Sequence, residues 1–165
     1  MKFKTYSIIE LTIVIGIIAI LTAITVPLLG SFAPQTRLNG DAKIILSSLR
    51  KAQQLSITGQ RRYGIDFYPE DNKYTLFRRD VNGGVTITDI ETINLSSGIN
   101  ISEINFDDVE QIANEDGYIR IQFNSFGAPR NSDDNDIHAE IIINNQKNAT
   151  LNIDVRKNTG HVKIL

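Results

Sequence analysis

Charge disappears from the chain between Glu10 and Arg37. Within that gap Leu11 to Leu29 reads LTIVIGIIAILTAITVPLL, apolar all round a helix. A helix lying on a water-soluble core normally keeps a polar stripe. Here only Thr12, Thr22 and Thr25 offer hydroxyls, and these can bond back to their own backbone. Since about 20 apolar residues span a bilayer's hydrocarbon, the run predicts a membrane helix rather than a buried core helix. A cleaved secretory signal would have a shorter apolar core, about 7–15 residues, followed by small residues at a cut site. Lys2 and Lys4 precede the run and no acid precedes Glu10, which places the N-terminus in the cytoplasm and residues 38–165 outside. Pro27 removes a helical hydrogen bond, and Gly16, Gly30 and Pro34 add to the weakening. A span that melts or bends near Pro27, with a helix resuming beyond Pro34, is the expectation.

From Asn39 to Gln60 the helical period is clear, with Ala42, Ile45, Leu49, Ala52 and Ser56 at spacings of three and four. Asp41 near the start and Arg50 and Lys51 further along suit a helix dipole, and Gly59 is the expected stop. Beyond Arg61 the period falls to two. Tyr63, Ile65 and Phe67, the turn Pro69-Glu70-Asp71-Asn72, and Tyr74, Leu76 and Phe77 read as a hairpin. Asn82-Gly83-Gly84 predicts a second turn, leading into Val85, Ile87 and Ile93. Ile99, Ile101 and Ile104 form a short run, and Tyr118 to Phe123 a half-buried strand. Glu140–Ile143 and Ala149–Val155 flank Asn144–Asn148 as a hairpin, and His161 to Leu165 closes the chain as a strand. The predicted class is α+β: a long N-terminal helix, half transmembrane and half amphipathic, on an antiparallel β-rich head.

Charge sharpens this division. Residues 1–60 carry six Lys/Arg against two Asp/Glu, whereas residues 61–165 carry eleven against seventeen. The absence of cysteine excludes disulfides, thiol catalysis and cysteine-ligated metals, and two histidines, His138 and His161, make a multi-histidine centre an unpromising reading. No nucleophile elbow, metalloprotease helix motif or phosphate-binding glycine loop occurs. Acidic residues gather at Asp107, Asp108, Glu110, Glu115 and Asp116, and again in Asn131-Ser132-Asp133-Asp134-Asn135-Asp136. Calcium would favour such oxygens, but neither stretch has the glycine and closing glutamate of the twelve-residue calcium loop, so both are read as solvated loops. No cofactor or metal is expected. Arg156, Lys157, His161 and Lys163 form a small basic end that could grip phosphates weakly.

Glu10 stands at the edge of the apolar run. A carboxylate there either sits in the headgroup layer or needs a cation from another subunit. Tyr6-Ser7-Ile8-Ile9-Glu10-Leu11, the apolar run and Pro27 together resemble the N-terminus of type IV pilins and pseudopilins. The resemblance implies a leader, Met1–Thr5, removed by a prepilin peptidase, and a new N-terminus at Tyr6 that is N-methylated. The Tyr6 amine of one subunit would then pair with Glu10 of a neighbour as helices stack. This chain carries Thr5 where the family has glycine, which leaves cleavage open.

The head is similar to the GspH/FimT type. The resemblance rests on Leu49-Arg50-Lys51-Ala52, Gly59-Gln60, Phe123 to Pro129, and Asn158-Thr159-Gly160-His161-Val162-Lys163. It implies a minor, structural and non-enzymatic subunit, with residues 6–36 as transmembrane and filament-core helix and 37–165 as periplasmic or extracellular head. The implied partners are other pilin or pseudopilin subunits, the peptidase, an inner-membrane assembly platform, and lipid before assembly. The leading reading is an H-type minor pseudopilin of a type II secretion system, anchored by a single pass in the bacterial inner membrane. The alternative is a DNA-uptake minor pilin gripping nucleic acid through Arg156, Lys157, His161 and Lys163. The acidic head opposes that, and no aromatic residue stands among the four to stack on bases. A membrane-anchored hydrolase or sensor lacks its catalytic set.

Overall fold

A computed structural model describes residues 7–80 and 85–165, with the backbone alone for 26–31. The Thr5–Tyr6 bond, the leader and the turn expected at Asn82-Gly83-Gly84 lie outside the described residues, as does the Pro27 side chain. A single helix, α1 (Ile8–Gly59), runs for 52 residues. The melting expected near Pro27 does not occur, because one proline removes one hydrogen bond while the turns on either side keep theirs. Asp41 consequently lies inside a helix rather than near a start. It is buried, and its carboxylate accepts the Ser96 N–H at 2.7 Å and the Ser96 hydroxyl at 3.0 Å. At the far end Gln60, not Gly59, takes the left-handed conformation, and its amide donates to the Ile57 carbonyl at 2.8 Å.

The head consists of two antiparallel five-stranded sheets. The first contains β1 (Arg62–Tyr68), β2 (Lys73–Asp80), β3 (Thr86–Asn94), β6 (Ile119–Phe123) and β7 (Pro129–Arg130), ordered β3-β2-β1-β6-β7. The second contains β4 (Ile99–Phe106), β5 (Val109–Glu110), β8 (Ala139–Asn145), β9 (Thr150–Val155) and β10 (Val162–Ile164), ordered β10-β9-β8-β4-β5. The second half of α1 packs against both. Leu38, Ala42, Ile45, Leu49, Ala52 and Ser56 are all fully buried, so the helical stripe is the face that meets the head. Ile65, Phe67, Tyr74, Leu76 and Ile121 meet it from the first sheet, and Ile141, Ile143 and Ile153 from the second.

Ile99, Ile101 and Ile104 break a period of two, yet all three are buried. A β-bulge between Ile101 and Glu103 inserts Ser102 and shifts the face by one residue, which returns Ile104 and Phe106 to the core. Inside that core the Tyr74 hydroxyl bonds Ser48 Oγ at 3.1 Å. Burial pushes this phenol up from 10.0 to about 12, against the pull of the Ser48 hydrogen bond. A pKa raised on folding gives stability that is complete below the unfolded value and is lost as pH climbs through the folded one. The wild type should therefore lose about 2–3 kcal/mol from this group between pH 10 and 12. Denaturant unfolding of wild type and Tyr74→Phe across that range should show a steeper decline in the wild type. Parallel declines would disprove it.

The strand expected to be half-buried over Tyr118 to Phe123 is instead buried at every residue of β6, Ile119–Phe123, with Tyr118 before it partly covered. Its outward residues, Arg120 and Gln122, lie under a lid that the sheet builds from its own side chains. Arg120 bonds Asp66 on β1 through Nε at 2.7 Å and Nη2 at 2.6 Å. Its guanidinium stacks 4.2 Å from the Phe77 ring and 4.8 Å from the Tyr118 ring. Gly64 makes room for this. A Cβ there would come within 2.7 Å of Phe77 Cζ and 2.5 Å of the Ile121 carbonyl. Burial pushes the Asp66 carboxyl up even though Arg120 pulls it down.

The asparagine and aspartate clusters have a backbone explanation. Of the non-glycine residues described with positive φ, all but Gln60 are Asn or Asp: Asn72, Asp107, Asp108, Asp134, Asn148 and Asn158. These side chains tolerate the left-handed region and cap their own turns. Asn131 Oδ1, for example, accepts the N–H groups of Asp133 and Asn135.

Candidate functional site

The candidate assembly site is the first half of α1. Ser7 caps it, accepting the Ile9 N–H on its hydroxyl at 3.4 Å and the Glu10 and Leu11 N–H groups on its carbonyl. Glu10 follows in the first turn, where a carboxylate suits the positive end of the helix dipole. Among the described residues it has no cationic partner. The window Ile8–Thr25 has a mean hydropathy of 2.5, and none of it is buried against the head. Its hydroxyls are satisfied internally: Thr12 donates to the Ile9 carbonyl, Thr22 to Ile18 and Thr25 to Leu21, at 2.9, 2.7 and 2.7 Å. The helix therefore offers hydrocarbon or a neighbouring helix a continuous apolar cylinder with one acid at its rim.

The head begins where burial begins, at Leu38. Its near end is fastened to the helix by Asp41 and by Arg37, whose guanidinium donates to the Ser97 carbonyl at 3.2 Å. At the far end Gln53 Nε2 donates to the Gly127 and Thr159 carbonyls at 2.9 and 3.0 Å, tying two motif loops to α1. Gly160 has φ +61, and a Cβ on it would lie 2.1 Å from the Gly127 carbonyl. The glycines of these two loops are thus joined by packing.

The basic end comes together with its own counter-ions. Arg156 and Lys163 lie 3.7 and 3.8 Å from Asp154, which also bonds His138, and Lys157 lies 3.3 Å from Asp107. His161 is exposed, in the turn between Arg156 and β10. Among the described residues no three acidic or histidine side chains converge as a metal site. Within the acidic runs Asp107, Asp108 and Asp134 take positive φ, and Asp107, Asp134 and Asp136 pair with Lys157, Arg62 and Arg130.

No protein-family model matches the sequence, and the search of curated proteins gave no match. Among the solved structures that share its fold are two of a minor pseudopilin. One, described as the minor pseudopilin EpsH from the Type 2 Secretion System of Vibrio cholerae, is 11% identical with a TM-score of 0.55, covering 78% of this chain and 96% of that one. The other, a crystal structure of the same minor pseudopilin, is 10% identical with a TM-score of 0.59, covering 79% and 94%. The chain has the GspH-like pseudopilin fold.

A cleft of about 430 Å³, which no spacing along the chain predicts, lies at the end of the head remote from the apolar helix. Its signal was present as two Arg-Arg doublets, Arg61-Arg62 and Arg78-Arg79, at the outer ends of the first hairpin.

Proposed function

We propose that this chain is a structural minor subunit of a type II secretion pseudopilus, of the H type. The observation that carries the reading is the division within α1: residues Ile8–Thr25 are apolar and wholly uncovered, while Leu38 to Ser56 are locked into the head. A helix of this kind satisfies its free surface in lipid first and against sister helices afterwards. The similarity in fold to EpsH supports it.

In this reading Met1–Thr5 is the leader, removed at Thr5–Tyr6 by a prepilin peptidase, and Tyr6 is N-methylated. Residues 6–36 anchor the chain in the inner membrane and later enter the filament core. Residues 37–165 are the head, held outside the cytoplasm. The Tyr6 amine of one subunit meets Glu10 of the next and supplies the cation that Glu10 lacks alone. Hydrocarbon competes for the same apolar surface, at about 25 cal/mol per Å² in either setting. Assembly therefore needs a membrane platform that draws the helix out of lipid. The work is structural, not catalytic. The DNA-uptake alternative gains nothing from the basic end, where Asp154 and Asp107 already hold Arg156, Lys163 and Lys157.

Intact mass spectrometry of the chain from its native membrane tests the proposal. The expected species begins at Tyr6 and carries one added methyl. A chain that still begins at Met1 and is missing from filament fractions would refute it.

A further inference from the structure

The far-end cleft is lined by Arg61, Arg62, Arg79 and Arg130, with Asp80 and Asp134 among them. Four guanidinium groups face two carboxylates on a head whose overall charge is negative. The register of the first hairpin sets Arg62 directly opposite Arg79. Like charges opposite one another across strands are destabilising. Arg62 is relieved by Asp134 at 2.7 Å, Arg61 by Asp80 at 2.9 Å, and Arg130 by Asp136 at 3.1 Å. Arg79 has no carboxylate among the described residues. Its Nη1 reaches Gln122 Oε1 at 3.4 Å, and its Nε is buried without a hydrogen-bond partner. At the rim Phe126 is 88% exposed. The cleft thus combines a repulsive pair, an arginine Nε without a hydrogen-bond partner and an exposed aromatic residue.

We propose that this cleft docks an acidic segment of a partner polypeptide, one carboxylate taking the guanidinium of Arg79 and an adjacent apolar side chain covering Phe126. Arginine and carboxylate pair in a planar two-bond geometry, and an aromatic ring beside such a pair is a frequent anchor in protein interfaces. Asp80 and Asp134 already pair with Arg61 and Arg62, which leaves one guanidinium for a single carboxylate and none for the run of phosphates in nucleic acid. A free phosphate would leave Phe126 uncovered. The site goes beyond the filament role, because it stands on the head alone and holds whether or not Glu10 directs assembly.

The test uses the full chain in detergent micelles. Fluorescence anisotropy is followed with a short synthetic peptide alternating glutamate and leucine, and with its glutamine counterpart. The glutamate peptide should bind in a salt-sensitive way, and the glutamine peptide should not. Arg79→Gln should weaken binding about tenfold or more, Arg79→Lys less, and Lys157→Gln not at all. Arg79→Gln should also leave the thermal midpoint unchanged or raise it, since it relieves the repulsion with Arg62. The proposal falls if both peptides bind alike or if Arg79→Gln binds as wild type. It also falls if that variant is clearly destabilised, making Arg79 structural. Equal displacement by inorganic phosphate would mark a small-anion site, preferential binding of duplex DNA a nucleic-acid site, and Arg79-dependent self-association a site for a second copy. Each of these overturns the proposal.

Discussion

Glu10→Ala should lower recovery of this chain in sheared filament fractions by at least about tenfold, while its level in the membrane fraction holds or rises. The two effects have opposite signs for one reason. In lipid, a carboxylate at the rim of an apolar helix is a burden, and removing it eases insertion. In the proposed filament, the same carboxylate would answer the neighbour's N-terminal amine, and removing it would strand that amine in low dielectric. A simple anchor would show only the first effect. Glu10→Gln tests charge against shape, and Glu10→Asp tests reach. The glutamine variant should behave like alanine, and the aspartate variant should retain part of the incorporation. If Glu10→Gln enters filaments as wild type does, the counter-charge account is wrong, whatever the fate of the membrane anchor.

Arg120→Met should destabilise the head by about 3–5 kcal/mol, the range expected when one member of a buried ion pair is removed. Asp66 would then be a carboxylate 4% exposed with its two charge-assisted hydrogen bonds gone. The stacking of the guanidinium on Phe77 and Tyr118 would be lost as well. The double variant Asp66→Leu/Arg120→Met removes both charges at once and should regain more than half of the loss, because no ion is left stranded. Urea unfolding of the detergent-solubilised chain, followed by circular dichroism, reads both. A loss under about 1 kcal/mol in the single variant would mean that water reaches Asp66 and that the lid over this face is open. A double variant no better than the single would locate the loss in packing against Phe77 rather than in the charge.

Much of the architecture was legible along the chain because it is local. The apolar run from Leu11, the stripe Ala42-Ile45-Leu49-Ala52-Ser56 and the alternation through Tyr63, Ile65 and Phe67 each report an element's period and the face it buries. The first hairpin also follows from its turn, and the register pairs Ile65 with Leu76 and Phe67 with Tyr74. The clustering of Asn and Asp marked turns, since those side chains accept positive φ. Local reading of the run Ile99, Ile101 and Ile104 held despite its odd spacing, and it failed where an expected break did not form. The bulge at Ser102 made an odd spacing regular in space. At Pro27, a residue that breaks short helices merely interrupts one bond of a very long one.

What the sequence determined by itself is a helix too apolar for water, an amphipathic continuation and a β-rich head, because hydrophobic period depends only on neighbours three, four or two residues away. Tertiary structure alone decided that the outward face of the first sheet is closed over Asp66, Arg120 and Gln122. Asp66 and Arg120 stand 54 residues apart and alternate as solvent-facing positions should, yet Gly64 lets the Phe77 ring lie over them. It also decided that arginines from three separate segments share one cleft with a bare phenylalanine at its rim. Charge and cavity are properties of residues brought together across strands, and such meetings carry no period that a single chain can display.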